Sequence, residues 1–376
     1  PTPAYPAGRA STLTSKMRRV GIIPGDGIGP QLAAQAVKVL RYFQQTAGLD
    51  VEILELEACG AAIDRCGDPL PPATKQQAAA CDAVLIGNIG ASKYSALPPE
   101  KRPERTLMEL RQLFGVCTNL RPVFLLPGLE EFSPLRPELI EKGFRVLVVR
   151  DIRGGMLASP HDSWDGVHGR EACDTEYYNE ETVELTARAA FAEARRRTGR
   201  VCSLDKANVL ASSVLWHNKV IEVAKDYPDV ELRHCYIDTA SMEVIRQPWA
   251  FDVIVTGNVF GDIIADELAQ ISGTPALFGS AELAPDGRGI YTTNQLHNPN
   301  EALAQSNGAC PAGILHATAM LLEHSLGRPD LGIRARQALR RASADKLCTE
   351  ELPRKDGRQL STAEFGDYIV ELLRQG

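Results

Sequence analysis

TGNVFGDIIADELAQISG, residues 256–273, is the stretch on which the reading of this chain turns. It follows Phe251 to Val255, an apolar run that reads as a buried strand, and it carries Asp262 and Asp266 four residues apart. On a helix that spacing sets both carboxylates on one face, where like charges repel by roughly a few tenths of a kcal/mol unless a cation lies between them. A hard divalent ion, Mg²⁺ or Mn²⁺, suits carboxylate oxygens and keeps coordination positions open for a substrate. The plainer reading is a solvated helix whose start Asp262 helps to cap.

Around this segment the chain has 376 residues, 44% hydrophobic and 24% charged, with a net charge of −7. That is the composition of a globular protein long enough for two domains or one large α/β unit. The negative charge argues against nucleic-acid binding, which needs a basic footprint, but a local arginine cluster can still hold a small anion. The nine cysteines show neither CxxC nor Cys/His metal spacing, and Cys117 and Cys202 sit in apolar runs. Buried free thiols in a reducing compartment are expected. No apolar run approaches the ~18–20 residues of a membrane span, and the start, PTPAYPAGRASTLTSKMRR, reads as a flexible leader without an apolar signal core. The expected location is cytoplasmic.

Strand and helix patterns alternate along the chain. Strands are expected at Val20 to Ile23, Val51 to Leu56, the end of Ala79 to Ile86, Phe144 to Val149, Val201 to Leu204, Val230 to Ile237 and Phe251 to Val255. Helices are expected at about Gln31 to Gln45, Leu107 to Phe114 (broken by Asn119-Leu120-Arg121-Pro122), Glu181 to Arg197 and about Pro311 to Leu326, with closing helices and a polar loop at Thr292 to Gly308. The class is α/β with a central sheet. Ala158 to Tyr178, rich in glycine, acids and His161, Trp164 and His168, reads as an arm used in subunit contact.

Chemistry concentrates at strand ends. Gly25-Asp26-Gly27-Ile28-Gly29 lies between a strand and a helix, which suits either an anion at a helix N-terminus or a structural tight turn. It lacks the third glycine of a dinucleotide fingerprint. Arg111, Arg121 and Arg150 are each ordinary ion-pair residues taken singly, and together they fit a dianion. Lys206 ends the strand in CSLDKANVL, where a lysine can act as a general base or simply pair with Asp205. Asp238, in YIDTASM, offers a third carboxylate for the cation.

Together GDGIGP, LPPEKRPERTLMELRQLFGVCTNLRPV, VRDIRGG, SLDKANVL, YIDTASM and TGNVFGDIIADE resemble the β-decarboxylating dehydrogenases, from Arg19 to Leu326. The run Pro103-Glu104-Arg105 with Leu107, Met108 and Arg111 is most similar to the isopropylmalate branch of that family. The resemblance implies an isopropylmalate dehydrogenase-like fold of two α/β domains with a central sheet and a dimer-forming arm. Residues 1–118 plus 274–376 would form a discontinuous nucleotide-binding domain. Residues 119–273 would form the substrate, metal and dimerisation domain, with the arm at about 158–178. By the same resemblance Lys206 and Asp238 are catalytic, and Asp238, Asp262 and Asp266 hold Mg²⁺ or Mn²⁺. Arg111, Arg121, Arg150 and Asn208 bind the carboxylates of a small dianionic hydroxy acid, and Leu107 and Met108 line its alkyl pocket. Glu104, His297, Glu301 and Asn307 meet the cofactor. The implied reaction is oxidation of a 3-alkylmalate by NAD followed by loss of CO₂, in a homodimer whose sites share Lys206 and Asp238 across subunits.

Two positions depart from the family pattern. Leu157 stands where the family has a tyrosine that protonates the enol, and leucine has no proton to give. Either His161 or His168 substitutes, or water does, or decarboxylation is impaired. In the nucleotide loop, HGSAPDIAGKGIANP in the family, the adenosine-reading aspartate becomes Ala302, with Glu301 one place away. No lysine or arginine lies between Gln295 and Pro311, so NAD is favoured over NADP. These departures leave three rivals: a diverged paralogue acting on another malate in specialised metabolism, a dehydrogenase that does not decarboxylate, and a non-catalytic or regulatory subunit on the same fold.

Overall fold

A computed structural model describes residues 17–298 and 300–375. Most of the expected leader, residues 1–16, lies outside the described residues. The strands are β1 (Arg18–Gly25), β2 (Val51–Glu55), β3 (Ala83–Asn88), β4 (Thr118–Phe124), β5 (Arg145–Asp151), β6 (His161–Gly166), β7 (Gly169–Asp174), β8 (Arg200–Asp205), β9 (Glu231–Tyr236), β10 (Val253–Thr256), β11 (Gly279–Leu283) and β12 (Gly289–Thr293), followed by the short pair β13 (Leu347–Cys348) and β14 (Arg358–Gln359).

The chain divides into two units. One comprises residues 17–116, Leu126–Phe132 and 273–375. Its strands run in the order β2, β1, β3, β12, β11, parallel except for the antiparallel β11–β12 pair. β3 is buried along its whole length (AVLIGN), as a parallel strand covered on both faces must be. The helices Gly29–Thr46, Ala312–His324, Pro329–Ala344 and Thr362–Gln375 pack together over this sheet. The glycine loop is a tight turn. Gly25 has φ of +73°, and a Cβ there would lie 1.8 Å from the Asn88 carbonyl oxygen. Asp26 turns inward and accepts the amides of Gly60 (2.8 Å) and Gly90 (2.9 Å). Burial pushes its carboxyl above the usual range, against the pull of those amides.

The other unit comprises Cys117–Leu125 and Ser133–Ser272. Its order is β4, β5, β10, β8, β9, parallel except for the antiparallel β4–β5 pair. The expected arm at about 158–178 is an exposed antiparallel hairpin, β6–β7. Asn119 to Pro122, expected to break a helix, are instead inside β4. The helix Arg105–Phe114 ends at Phe114 as expected, stopped by Gly115, whose φ of +64° gives a left-handed cap. Residues 292–308, expected as loop, include a short helix, Glu301–Ser306, capped by the Asn300 side chain. Cys117 and Cys202 are buried thiols, whereas Cys66 and Cys173 are exposed. Among the described residues no helix is long and apolar enough to cross a membrane.

Candidate active site

Asp262 and Asp266 lie on the helix Asn258–Ile271, which follows β10 directly. Its stripe Gly261, Ile264, Ala265, Leu268 has helical spacing and is buried, so the two aspartates flank the packed face. Gly257 is the N-cap and Asp262 sits a full turn inside, so Asp262 does not cap the helix as the plainer reading had it. Gly261 lets the helix approach β5, since a Cβ there would meet the Arg150 side chain at 2.7 Å. In β4 and β5 Asn119 pairs with Arg150 and Arg121 with Val148, so the two arginines project from one face of the sheet.

That face meets the aspartates. Arg121 Nη1 lies 2.9 Å from Asp266 Oδ1 and its Nη2 3.2 Å from Asp262 Oδ1, while Arg150 Nη1 also pairs with Asp262 Oδ1. The Arg150 guanidinium is buried and donates to Asn258 Oδ1 from Nε (3.1 Å) and Nη2 (2.8 Å). Asn258 is fixed in turn, its amide nitrogen donating to the Tyr178 hydroxyl (2.7 Å) and its Nδ2 to the Gly154 carbonyl (2.9 Å). Burial, together with the Asp262 charge, pushes the Asp266 carboxyl up despite Arg121. The aspartate side chains are 43% and 58% exposed, open enough for an ion to arrive from solvent.

Lys206 follows β8, and its Nζ lies 2.7 Å from Asp238 Oδ2. Its partner is therefore Asp238 and not Asp205, because Asp205 takes His217 instead (2.9 Å). The Lys206 hydrogen bond holds the Asp238 carboxyl below its usual range. Asn208 is exposed just beyond.

In the other unit, Arg111 is held bidentately by Glu282, Nε to Oε2 at 2.8 Å and Nη2 to Oε1 at 2.6 Å. Leu107, on the same helix, is buried and Met108 is half exposed. Glu104 precedes that helix, and His297 and Glu301 are exposed. Glu301 Oε1 accepts the Ser92 amide (3.1 Å), and Asn307 adopts φ of +54° at the end of its short helix. At the ends of the paired strands β3 and β12, Asn88 and Asn294 have side-chain amides buried without hydrogen-bond partners.

Sequence reasoning passed over Glu282, Asn258, Tyr178 and the pair His217 and His234. A lone acid in the buried strand GSAEL marks Glu282, and Asn258 belongs to TGNVFGD, but nothing local marks Tyr178.

Residues 19–369 match the isocitrate/isopropylmalate dehydrogenase family. The chain belongs to that family. It is similar to 3-isopropylmalate dehydrogenase of Shigella sonnei, 41% identical over 96% of this chain and 99% of that one, and to 3-isopropylmalate dehydrogenase of Vibrio parahaemolyticus, 42% identical over the same shares. Among solved structures it resembles isocitrate dehydrogenase from Methylococcus capsulatus, with a TM-score of 0.82 at 30% identity over 96% of this chain and 100% of that one. It also resembles a β-decarboxylating dehydrogenase from Thermococcus kodakarensis, with a TM-score of 0.77 at 27% identity over 96% and 97%. It is an enzyme of the decarboxylating dehydrogenase type, similar to 3-isopropylmalate dehydrogenase.

Proposed function

We propose that this enzyme oxidises 3-isopropylmalate, or a close 3-alkylmalate, with NAD and a divalent metal, and releases CO₂ from the resulting keto acid. The observation that carries the reading is the pair of solvent-reachable carboxylates, Asp262 and Asp266, braced on one helix face by Arg121 and Arg150. Its all-oxygen donor chemistry fits Mg²⁺ or Mn²⁺. The unpartnered amides of Asn88 and Asn294 fit a polar cofactor at the carboxyl ends of β3 and β12.

In this proposal Asp262 and Asp266, with Asp238, hold the metal, which supplies a Lewis acid for the hydroxyl and the developing oxyanion. Arg111, Arg121, Arg150 and Asn208 bind and orient the substrate carboxylates. Leu107 and Met108 receive the alkyl group. Lys206, kept close to Asp238, takes the hydroxyl proton at Nζ, and a bound nicotinamide would supply the hydride acceptor. Glu104, His297, Glu301 and Asn307 line the cofactor, and the absence of lysine and arginine from 295 to 311 favours NAD over NADP. Leu157 gives no proton, so the enol's proton comes from another source, His161, His168 or water, or the decarboxylation step is impaired. Homodimerisation, with Lys206 and Asp238 serving the neighbouring copy, and a cytoplasmic location belong to the same proposal.

The test is reduction of NAD and NADP with Mg²⁺ or Mn²⁺ against 3-isopropylmalate, other 3-alkylmalates, malate, tartrate, isocitrate and homoisocitrate, with CO₂ measured alongside. NAD reduction with stoichiometric CO₂ on isopropylmalate is expected. Activity confined to another malate would make this a diverged paralogue. Silence on all, given Leu157 and Ala302, would favour a non-catalytic subunit.

A further inference from the structure

One titratable cluster in the unit of Cys117–Leu125 and Ser133–Ser272 has no part in this chemistry. Asp205 ends β8, His234 lies on the adjacent β9 opposite Ser203, and His217 lies on the helix Ala211–Ala224. Trp216 Nε1 donates to Ser203 Oγ at 3.2 Å, which pins that helix to β8. The two imidazoles stack with centroids 3.8 Å apart. Nδ1 of His217 is 2.9 Å from Asp205 Oδ2, and Nδ1 of His234 is 3.8 Å from that same oxygen, beyond hydrogen-bonding distance.

Both ring nitrogens of His234 are buried without a hydrogen-bond partner. Such a group costs about 1–3 kcal/mol unless something satisfies it. One ligand atom from each of Asp205, His217 and His234 lies within 4.8 Å of the others. Two neutral imidazoles and a carboxylate are the donors that Zn²⁺ and its neighbours take, whereas Mg²⁺ prefers oxygen alone. The other Asp205 oxygen accepts the Ala207 amide at 2.9 Å, which orients the carboxylate as outer-shell partners of metal ligands do.

We propose that Asp205, His217 and His234 form a second cation site, for a borderline transition metal of the Zn²⁺ class, distinct from the all-oxygen set of Asp238, Asp262 and Asp266. The fourth position falls to water, and modest ring rotations bring the three donors to bonding distance. Because Asp205 immediately precedes Lys206 and holds the Ala207 amide, an ion here braces the turn that carries Lys206.

The test is a Co²⁺ titration of the full chain under reducing conditions with Mg²⁺ in excess, read by visible absorption and by melting temperature. One equivalent with the intense bands of low-coordinate Co²⁺ on nitrogen and oxygen ligands is expected, displaced by Zn²⁺. Affinity should fall at least tenfold in His217→Gln and in His234→Gln, and stay unchanged in Asp262→Asn. Folding of each variant is checked by its metal-free melting temperature. The proposal is overturned by no uptake in the wild type, by bands that persist in both histidine variants or vanish in Asp262→Asn, or by thiolate charge-transfer bands, which would assign the ion to cysteines such as Cys235. The wild-type spectrum decides the matter even if a histidine variant fails to fold.

Discussion

Arg150 on β5 is ion-paired through Nη1 to Asp262 Oδ1 on the helix Asn258–Ile271. The pair forms because Gly261 leaves room for the Arg150 side chain and because Asn258 holds the rest of the guanidinium. Asp262 thus has an oxygen shared between two arginines.

If Asp262 is a metal ligand, Mn²⁺ at about a hundredfold excess over its dissociation constant should stabilise the wild type by about 2.7 kcal/mol. In Asp262→Ala the Mn²⁺-dependent rise in melting temperature should disappear, and kcat/KM should fall by about 10²-fold or more. Differential scanning calorimetry with and without Mn²⁺ reads the first effect. Equal stabilisation of both proteins would remove Asp262 from the ligand set.

Arg111 and Glu282 make a largely buried bidentate pair, with Glu282 only 5% exposed. Arg111→Met leaves that carboxylate uncompensated and should cost about 3–5 kcal/mol in urea unfolding. Arg111→Met with Glu282→Gln should recover most of the stability and none of the substrate affinity. Recovery of KM in the double variant would mean that Arg111 serves the fold and not the substrate.

Leu157 is half exposed in the turn between β5 and β6, so a tyrosine fits there without a packing penalty. Leu157→Tyr should keep the melting temperature and raise the rate of keto-product formation relative to CO₂ release, by about tenfold or more if enol protonation limits turnover. Stopped-flow comparison of the two products measures this. Unchanged turnover would count against a missing proton donor at this position.

Asp151 is fully buried, accepting the Gly154 amide (2.7 Å) and the Thr186 hydroxyl (3.3 Å), and burial pushes its carboxyl up to about 6. A raised acid binds its proton more tightly in the fold. Its contribution is therefore complete below the unfolded value near 3.8 and is lost as pH rises through about 6, about 3 kcal/mol in all. Asp151→Asn should gain on the wild type in melting temperature as pH goes from 4 to 7. A difference that stays flat over that range would show that Asp151 does not titrate there.

The α/β class and the course of most strands and helices were legible in the sequence, and so was the placement of Asp262 and Asp266 on one helix and of Arg150 and Lys206 at strand ends. Each of these depends on local spacing: apolar runs for strands, a four-residue interval for the aspartates, polar residues at strand ends. The helix end at Phe114 was legible too, but Asn119 to Pro122 belong to β4 and do not break it; the stop is Gly115, whose left-handed φ only the backbone reveals. Which charge meets which was decided by tertiary structure alone. Lys206 chose Asp238 over its neighbour Asp205, Arg111 found Glu282 171 residues away, and two histidines 17 positions apart came to stack beside Asp205. Pairing energies depend on distance and burial in three dimensions, and sequence separation carries neither.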